Sequence, residues 1–166
     1  MSNETHTPSS DFAKEIALIP GGEVINKCIQ CGICTASCVV ACVDDQYRPR
    51  RLIQKILIGK RDEVLKSDQP WLCMTCRMCE ERCQEGVSPA EIFHAVRILA
   101  VKEGHIPKVF QITVEKVLCD GWMLADAYTD FNEDEREDLG LNPALAWNDT
   151  FTKKVKKKYL VGEESA

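Results

Sequence analysis

The sequence predicts a mainly α-helical protein, with a helical domain over residues 22–104 and an extended, partly helical C-terminal arm over 105–166. Three observations carry this prediction. Residues 22–104 show almost none of the period-2 alternation of a half-buried strand. Two segments, near 50–66 and 89–103, repeat apolar residues at helical spacing. A run of four cysteines occurs twice, 45 residues apart, and so divides the domain into two related halves.

The elements follow in chain order. Residues 1–21 are expected to form an N-terminal tail: 1–11 are polar, and the short apolar stretch Ile16 to Ile19 ends at Pro20-Gly21-Gly22. Between the cysteine runs, Leu52, Ile53, Ile56, Leu57, Val64 and Leu65 recur at helical spacing. Pro49 suits a first helical turn, and Gly59 weakens the middle of the stretch. After the second run, Ser88-Pro89-Ala90-Glu91 reads as an N-cap, a first-turn proline and the acidic partner of a capping box. That helix should run to about Glu103 and stop at Gly104, with Ile92, Phe93, Val96, Leu99 and Ala100 on its apolar face. Glu91, His94 and Arg97 fall on the polar face. Val109 to Leu118 can form one more helix. Beyond it lie an acidic stretch over 120–138 and a block of lysines over 153–158, read as a solvated, partner-binding extension.

Composition bounds what such a protein can be. The 166 residues suit one domain, or a small domain with extensions. A hydrophobic share of 45% with 28% charged residues is ordinary globular usage and argues against wholesale disorder. The net charge of −5 argues against a general nucleic-acid binder, which needs a basic surface. The first residues carry no basic and apolar leader pattern, and no apolar run approaches bilayer length. A cytoplasmic protein without membrane insertion is therefore expected. Thiols stay reduced there, so clustered cysteines favour metal over disulfides.

Ten cysteines are present, and eight fall into the repeat. Cys28, Cys31, Cys34 and Cys38 follow C-x2-C-x2-C-x3-C, and Cys73, Cys76, Cys79 and Cys83 repeat it. This is the spacing of bacterial two-cluster ferredoxins, in which three cysteines wrap one [4Fe–4S] cubane and the fourth reaches the other cluster. By that rule Cys28, Cys31, Cys34 and Cys83 hold cluster 1, and Cys73, Cys76, Cys79 and Cys38 hold cluster 2. The exchange would staple the two halves together. Structural zinc uses pairs of C-x2-C and does not require a third cysteine at the same spacing. Cys42 and Cys119 stand outside the pattern and read as small buried hydrophobes. Trp71 reads as a shield for a cluster. Arg48, Arg50, Arg51, Arg77 and Arg82 flank the runs, and are expected to be solvated or paired with Asp44, Asp45, Glu80 or Glu81.

No Gly-rich phosphate loop, dinucleotide fingerprint, Ser-His-Asp set, HExxH or CxxCH motif appears. The chain shows no catalytic residues and no small-molecule substrate site of its own. It reads as an electron conduit and not as a complete enzyme.

Three segments together resemble the C subunit of heterodisulfide reductase: C-I-Q-C-G-I-C-T-A-S-C, R-P-R-R-L-I-Q-K-I-L-I-G-K-R-D-E-V-L, and W-L-C-M-T-C-R-M-C-E-E-R-C-Q-E-G-V. The resemblance is strong over 22–104 and weaker along the arm. It implies an α-helical ferredoxin fold with two [4Fe–4S] clusters. The eight motif cysteines match position by position, so the resemblance carries ligation to them. It also implies partners: a flavin-containing A subunit that supplies electrons, and a B subunit that reduces the mixed disulfide of coenzyme M and coenzyme B. The alternative is an iron–sulfur subunit of another oxidoreductase, such as a glycolate, glycerol-3-phosphate or succinate dehydrogenase relative. There is one departure. The proline that usually follows the fourth cysteine is replaced by Val39 and Gln84, which should alter cluster shielding without removing ligation.

Overall fold

The computed structural model describes residues 10–120 (side chains to 118), 134–141, 150 and 153–154. The side chain of Cys119, most of the acidic stretch and most of the lysine block lie outside the described residues. Among the described residues the secondary structure is helical, without strands. The chain divides into two compact units, 1–106 and 107–166.

The first helix, α1 (Asp11–Ala17), lies inside the segment expected to be a tail. Ser10 caps it by accepting from the Ala13 N–H, and its hydroxyl donates to the Ile56 carbonyl. Phe12, Ala13 and Ile16 are buried in the core. The expectation of a tail through residue 21 is therefore corrected: the packed domain begins by Ser10. The signal is a cap residue followed by apolar residues at i, i+1 and i+4, short enough to be overlooked.

The cysteine runs open the same way in both halves. A 3-10 turn (Ile25–Lys27) leads into the first run, and another (Gln69–Leu72) leads into the second. One-turn helices α2 (Ile33–Ala36) and α6 (Met78–Glu81) follow at equivalent positions. They pack against each other, and each also packs on a longer helix of its own half.

The first half then adds α3 (Val39–Val43) before the longer helix α4 (Pro49–Leu57). Val39 is the first residue of α3, where a backbone N–H has no intrahelical partner in any case. A proline is thus unnecessary for the chain to turn away from Cys38. Pro49 occupies the first turn of α4, and Leu52, Ile53 and Ile56 form its buried stripe. The expected single helical stretch over 50–66 is two helices, α4 and α5 (Arg61–Leu65). Gly59 between them has φ +81°, a left-handed conformation that residues with a Cβ rarely adopt. The break lets α5 fold back on α4 and bury Val64 and Leu65.

Helix α7 (Pro89–Lys102) is the longest of this unit and packs on α1, α5 and α6. Ser88 caps it by accepting from the Glu91 N–H. Every residue expected on its apolar face is buried: Ile92, Phe93, Val96, Leu99 and Ala100. The reciprocal half of the capping box is absent, because the Glu91 carboxylate pairs with Arg77 instead. Arg61 ties the outer edge of this unit together. Its guanidinium binds Glu15 on α1 at 2.7 Å and Glu103 just past α7, and lies over the Phe12 ring. The second unit contains α8 (Lys108–Asp120), where the sequence predicts a helix, and a short helical turn over 134–138. No helix among the described residues is long and apolar enough to cross a membrane.

Candidate iron–sulfur centres

The two cysteine loops are built alike because their backbones bend at the same places. Gln30 and Thr75, each just before the second cysteine, have φ of 59° and 56°. Gly32 and Arg77, each just after it, have φ of 89° and 59°. Four left-handed residues at two equivalent pairs of positions curl each loop around a hollow. Glycine adopts this conformation freely, whereas Gln, Thr and Arg do so at a cost of roughly 1 kcal/mol or more. Strain repeated at equivalent positions marks a geometry the site needs.

Each hollow collects cysteines from both runs. The first is a cavity of about 360 Å³, lined by Cys28, Cys31, Cys34 and Cys83. The second is narrower, about 20 Å³, and is lined by Cys38, Cys73, Cys76 and Cys79. Cys83 of the second run thus lines the first cavity, and Cys38 of the first run lines the second. Cys28, Cys38, Cys73 and Cys83, the outer members of the runs, pack against the hydrophobic core. The second cysteines of the runs, Cys31 and Cys76, are exposed. Among the described residues no compact group of His, Cys, Asp or Glu is arranged to hold a single metal ion. The donor sets instead surround cavities and consist wholly of sulfur, which suits a thiolate-bound cluster.

Burial shapes these thiols. It pushes Cys28 and Cys34 above the usual thiol range, and nearby sulfurs add to the effect. Cys79 is pushed up to about 11 by burial, with Cys73 and then Cys34 contributing. Without a cation these sulfurs hold their protons, so loading a cluster must displace them. Two donors already face sulfur in the first cavity. The Gln30 Nε2 donates to Cys28 Sγ at 3.4 Å, and the Val87 N–H donates to Cys83 Sγ at 3.3 Å. Beside the second, Tyr47 is buried against Phe93, with ring centroids 6.4 Å apart and planes at 70°, and its hydroxyl neighbours Cys73.

Several residues take roles that sequence reasoning does not assign. Helical period places Arg97 on the polar face of α7, yet it donates to the carbonyls of Pro70 and Cys73 at 2.9 and 2.6 Å and lies over the Trp71 ring. It pins the start of the second loop to α7. Trp71 packs against the core beside Cys73. The Thr35 hydroxyl accepts from the Arg50 N–H at 3.0 Å and so ties the first loop to α4. The arginines divide. Arg48 pairs with Asp45, and Arg77 pairs with Glu80 and also with Glu91. Arg50, Arg51 and Arg82 make no ion pair with a described residue.

Cys42 corrects the sequence reading. It is exposed on α3, not buried, and lines neither cavity. Cys42→Ser should therefore leave iron and sulfide content unchanged, and in the holo-protein Cys42 should be alkylated ahead of the eight motif cysteines. Metal analysis of the variant and peptide mapping after brief alkylation check these two points. His94 is exposed, as expected.

Comparison with known proteins agrees with this geometry. A sequence model for the 4Fe-4S dicluster domain matches residues 24–87. The C subunit of a ferredoxin/F420H2-dependent CoB-CoM heterodisulfide reductase from Methanosarcina acetivorans is 36% identical over 118 residues, 70% of this chain and 70% of the relative. The chain belongs to the family of heterodisulfide reductase C subunits. The family and the dicluster domain establish two [4Fe–4S] clusters as its cofactors. The iron–sulfur C subunit of CoB–CoM heterodisulfide reductase from Methanopyrus kandleri is also 36% identical, over 71% of this chain and 60% of the relative. The C2 subunit of an H2/formate-linked CoB-CoM heterodisulfide,ferredoxin reductase from Methanococcus maripaludis is 39% identical over 62% of this chain. The chain spans only 60% of the length of the Methanopyrus relative and 56% of the Methanococcus one. These relatives are named as C subunits of heterodisulfide reductases, and the Methanopyrus protein as an iron–sulfur subunit.

Proposed function

We propose that this chain is the cytoplasmic electron-transfer subunit of a heterodisulfide reductase-like complex. It relays electrons between a flavin-containing A-type subunit and a cysteine-rich B-type subunit that reduces the coenzyme M–coenzyme B heterodisulfide. Cys28, Cys31, Cys34 and Cys83 hold one cluster, and Cys73, Cys76, Cys79 and Cys38 hold the other. One observation carries this reading: each cavity is lined by three cysteines of one run and the last cysteine of the other.

When bound, each cluster takes up and gives up single electrons. The protein's residues set the conditions for that chemistry. The two sites are neighbours, since α2, which carries Cys34 of the first set, packs on α6, which carries Cys79 of the second. Ile33, Ile53 and Val87 line the first cavity, and Val40, Ala90 and Phe93 line the second, so water is partly excluded from both. One side of each site approaches the surface, where Ile29 and Met74 occupy equivalent loop positions and are 61% and 72% exposed. These apolar tips beside the exposed Cys31 and Cys76 are where redox partners can come close. Helix α8 leaves Val109, Ile112 and Val114 exposed, which supports a partner-binding role for the arm.

The test is anaerobic affinity isolation of the full chain from its native cell, with co-purifying chains identified by mass spectrometry. Recovery of an A-type flavoprotein together with a cysteine-rich protein of the B type is the expected result. Recovery with a quinone-linked or flavin dehydrogenase would move the function to that class of oxidoreductase.

A further inference from the structure

An arginine stands at the same place in both cysteine loops, but it reaches that place by different routes. In the second loop it is Arg77 itself, the residue after Cys76. In the first loop that position is Gly32, and Arg50 from α4 crosses over it. A Cβ added at Gly32 would lie 3.4 Å from Arg50 Cδ and 3.6 Å from its Nε. Gly32 therefore serves two needs at once: the left-handed backbone at φ +89° and room for the arginine of α4.

The surroundings of the two arginines differ. Arg77 is bound by Glu80 at 3.5 Å and by Glu91, so two carboxylates offset its single charge. Arg50 lines the first cavity and makes no ion pair with a described residue. The other charged residue lining that cavity, Glu85, is exposed and so screened by water. The first cavity also has two N–H donors on its sulfurs, from Gln30 and Val87. The second has the hydroxyl of Tyr47 beside Cys73.

Resting on the ligand sets proposed above, we infer that Arg50 makes the first site the higher-potential one, so that electrons run from the second site to the first. Reduction adds one negative charge to a site that is already anionic. An uncompensated cation beside that site stabilises the reduced form, whereas an arginine offset by two carboxylates does not. In the transfer, the second site loses one electron and is oxidised, and the first gains it and is reduced. The partner facing Cys28, Cys31, Cys34 and Cys83 is then the electron acceptor. Arg50 acts here as a positioning charge, not as a catalytic residue.

The experiment is an anaerobic redox titration of the full holo-protein, followed by electron paramagnetic resonance. Cys31→Ser and Cys76→Ser assign the two sets of signals. Arg50→Gln is expected to lower the midpoint of the site that Cys31→Ser perturbs, and Arg50→Lys to restore most of it. Glu91→Gln, which removes one of the two carboxylates that offset Arg77, is expected to raise the midpoint of the other site. Iron and sulfide content should be unchanged in all three charge variants. Unchanged midpoints in Arg50→Gln, or a shift in the Cys76 site alone, would overturn the inference. So would a wild-type protein whose Cys31 site has the lower midpoint. Should Arg50→Gln not assemble, the wild-type order and Glu91→Gln decide the matter. The ligand assignment fails separately, by Cys31→Ser and Cys76→Ser perturbing the same signals.

Discussion

Cys38→Ala is expected to abolish the same cluster as Cys76→Ala, and Cys83→Ala the same cluster as Cys31→Ala. A chain that wrapped each cluster with its own run would give the opposite grouping. The crossed pattern follows from the cavity linings, where Cys38 joins the second run and Cys83 joins the first. The stability effect should be large and informative. Cys31 and Cys76 are exposed, so truncating either removes little packing of its own. Any large destabilisation must then come from the lost cluster, which joins the start of one loop to the end of the other. Structural zinc contributes on the order of 10 kcal/mol to the folding of small metal-dependent domains, and a cluster that bridges two halves should act in the same sense. Iron and sulfide analysis with electron paramagnetic resonance reports the grouping, and anaerobic denaturant titration reports the stability. Grouping of Cys38→Ala with Cys31→Ala would remove the crossed assignment.

The cysteine sites are legible in the sequence because their information is local. Ligand spacing within each run, the Ser88 cap and the apolar face of α7 are all set by residues a few positions apart, and the second run repeats the first spacing unchanged. The features that escape such reading depend on contacts between distant segments. Arg97 is a polar-face residue by helical period alone, and only the fold brings it to the carbonyls of Pro70 and Cys73. Glu91 has a capping-box position, but a charged partner from the second loop outcompetes the local contact. Cys42 looks apolar by composition, whereas α3 turns it to solvent. Helix α1 spans 7 residues, too few for periodicity to stand out, and is held by packing on α4 and α7. Gly59 is visible as a weak point, but whether it bends one helix or separates two depends on where Val64 and Leu65 can be buried.

Phe93→Ala is expected to be the most damaging single truncation in the apolar core, and its damage should fall unequally on the two clusters. Phe93 is 1% exposed on α7, packs edge-on against Tyr47, and lines the second cavity beside Cys38, Cys73 and Cys79. Removing a buried phenyl ring costs about 3–5 kcal/mol, because the lost contacts and the void left behind add together. That void would open onto the second site, admit water and loosen Tyr47, the hydroxyl neighbour of Cys73. Ile92→Ala provides the comparison. Ile92 is fully buried on the same helix but lines neither cavity, and its truncation should cost about 2–5 kcal/mol. Both variants should unfold at lower denaturant. In a chelator challenge under native conditions, Phe93→Ala should release iron first from the site that Cys76→Ala abolishes, whereas Ile92→Ala should release it from both sites together. Equal release in Phe93→Ala would mean that its contribution is to the core as a whole and not to the wall of the second site.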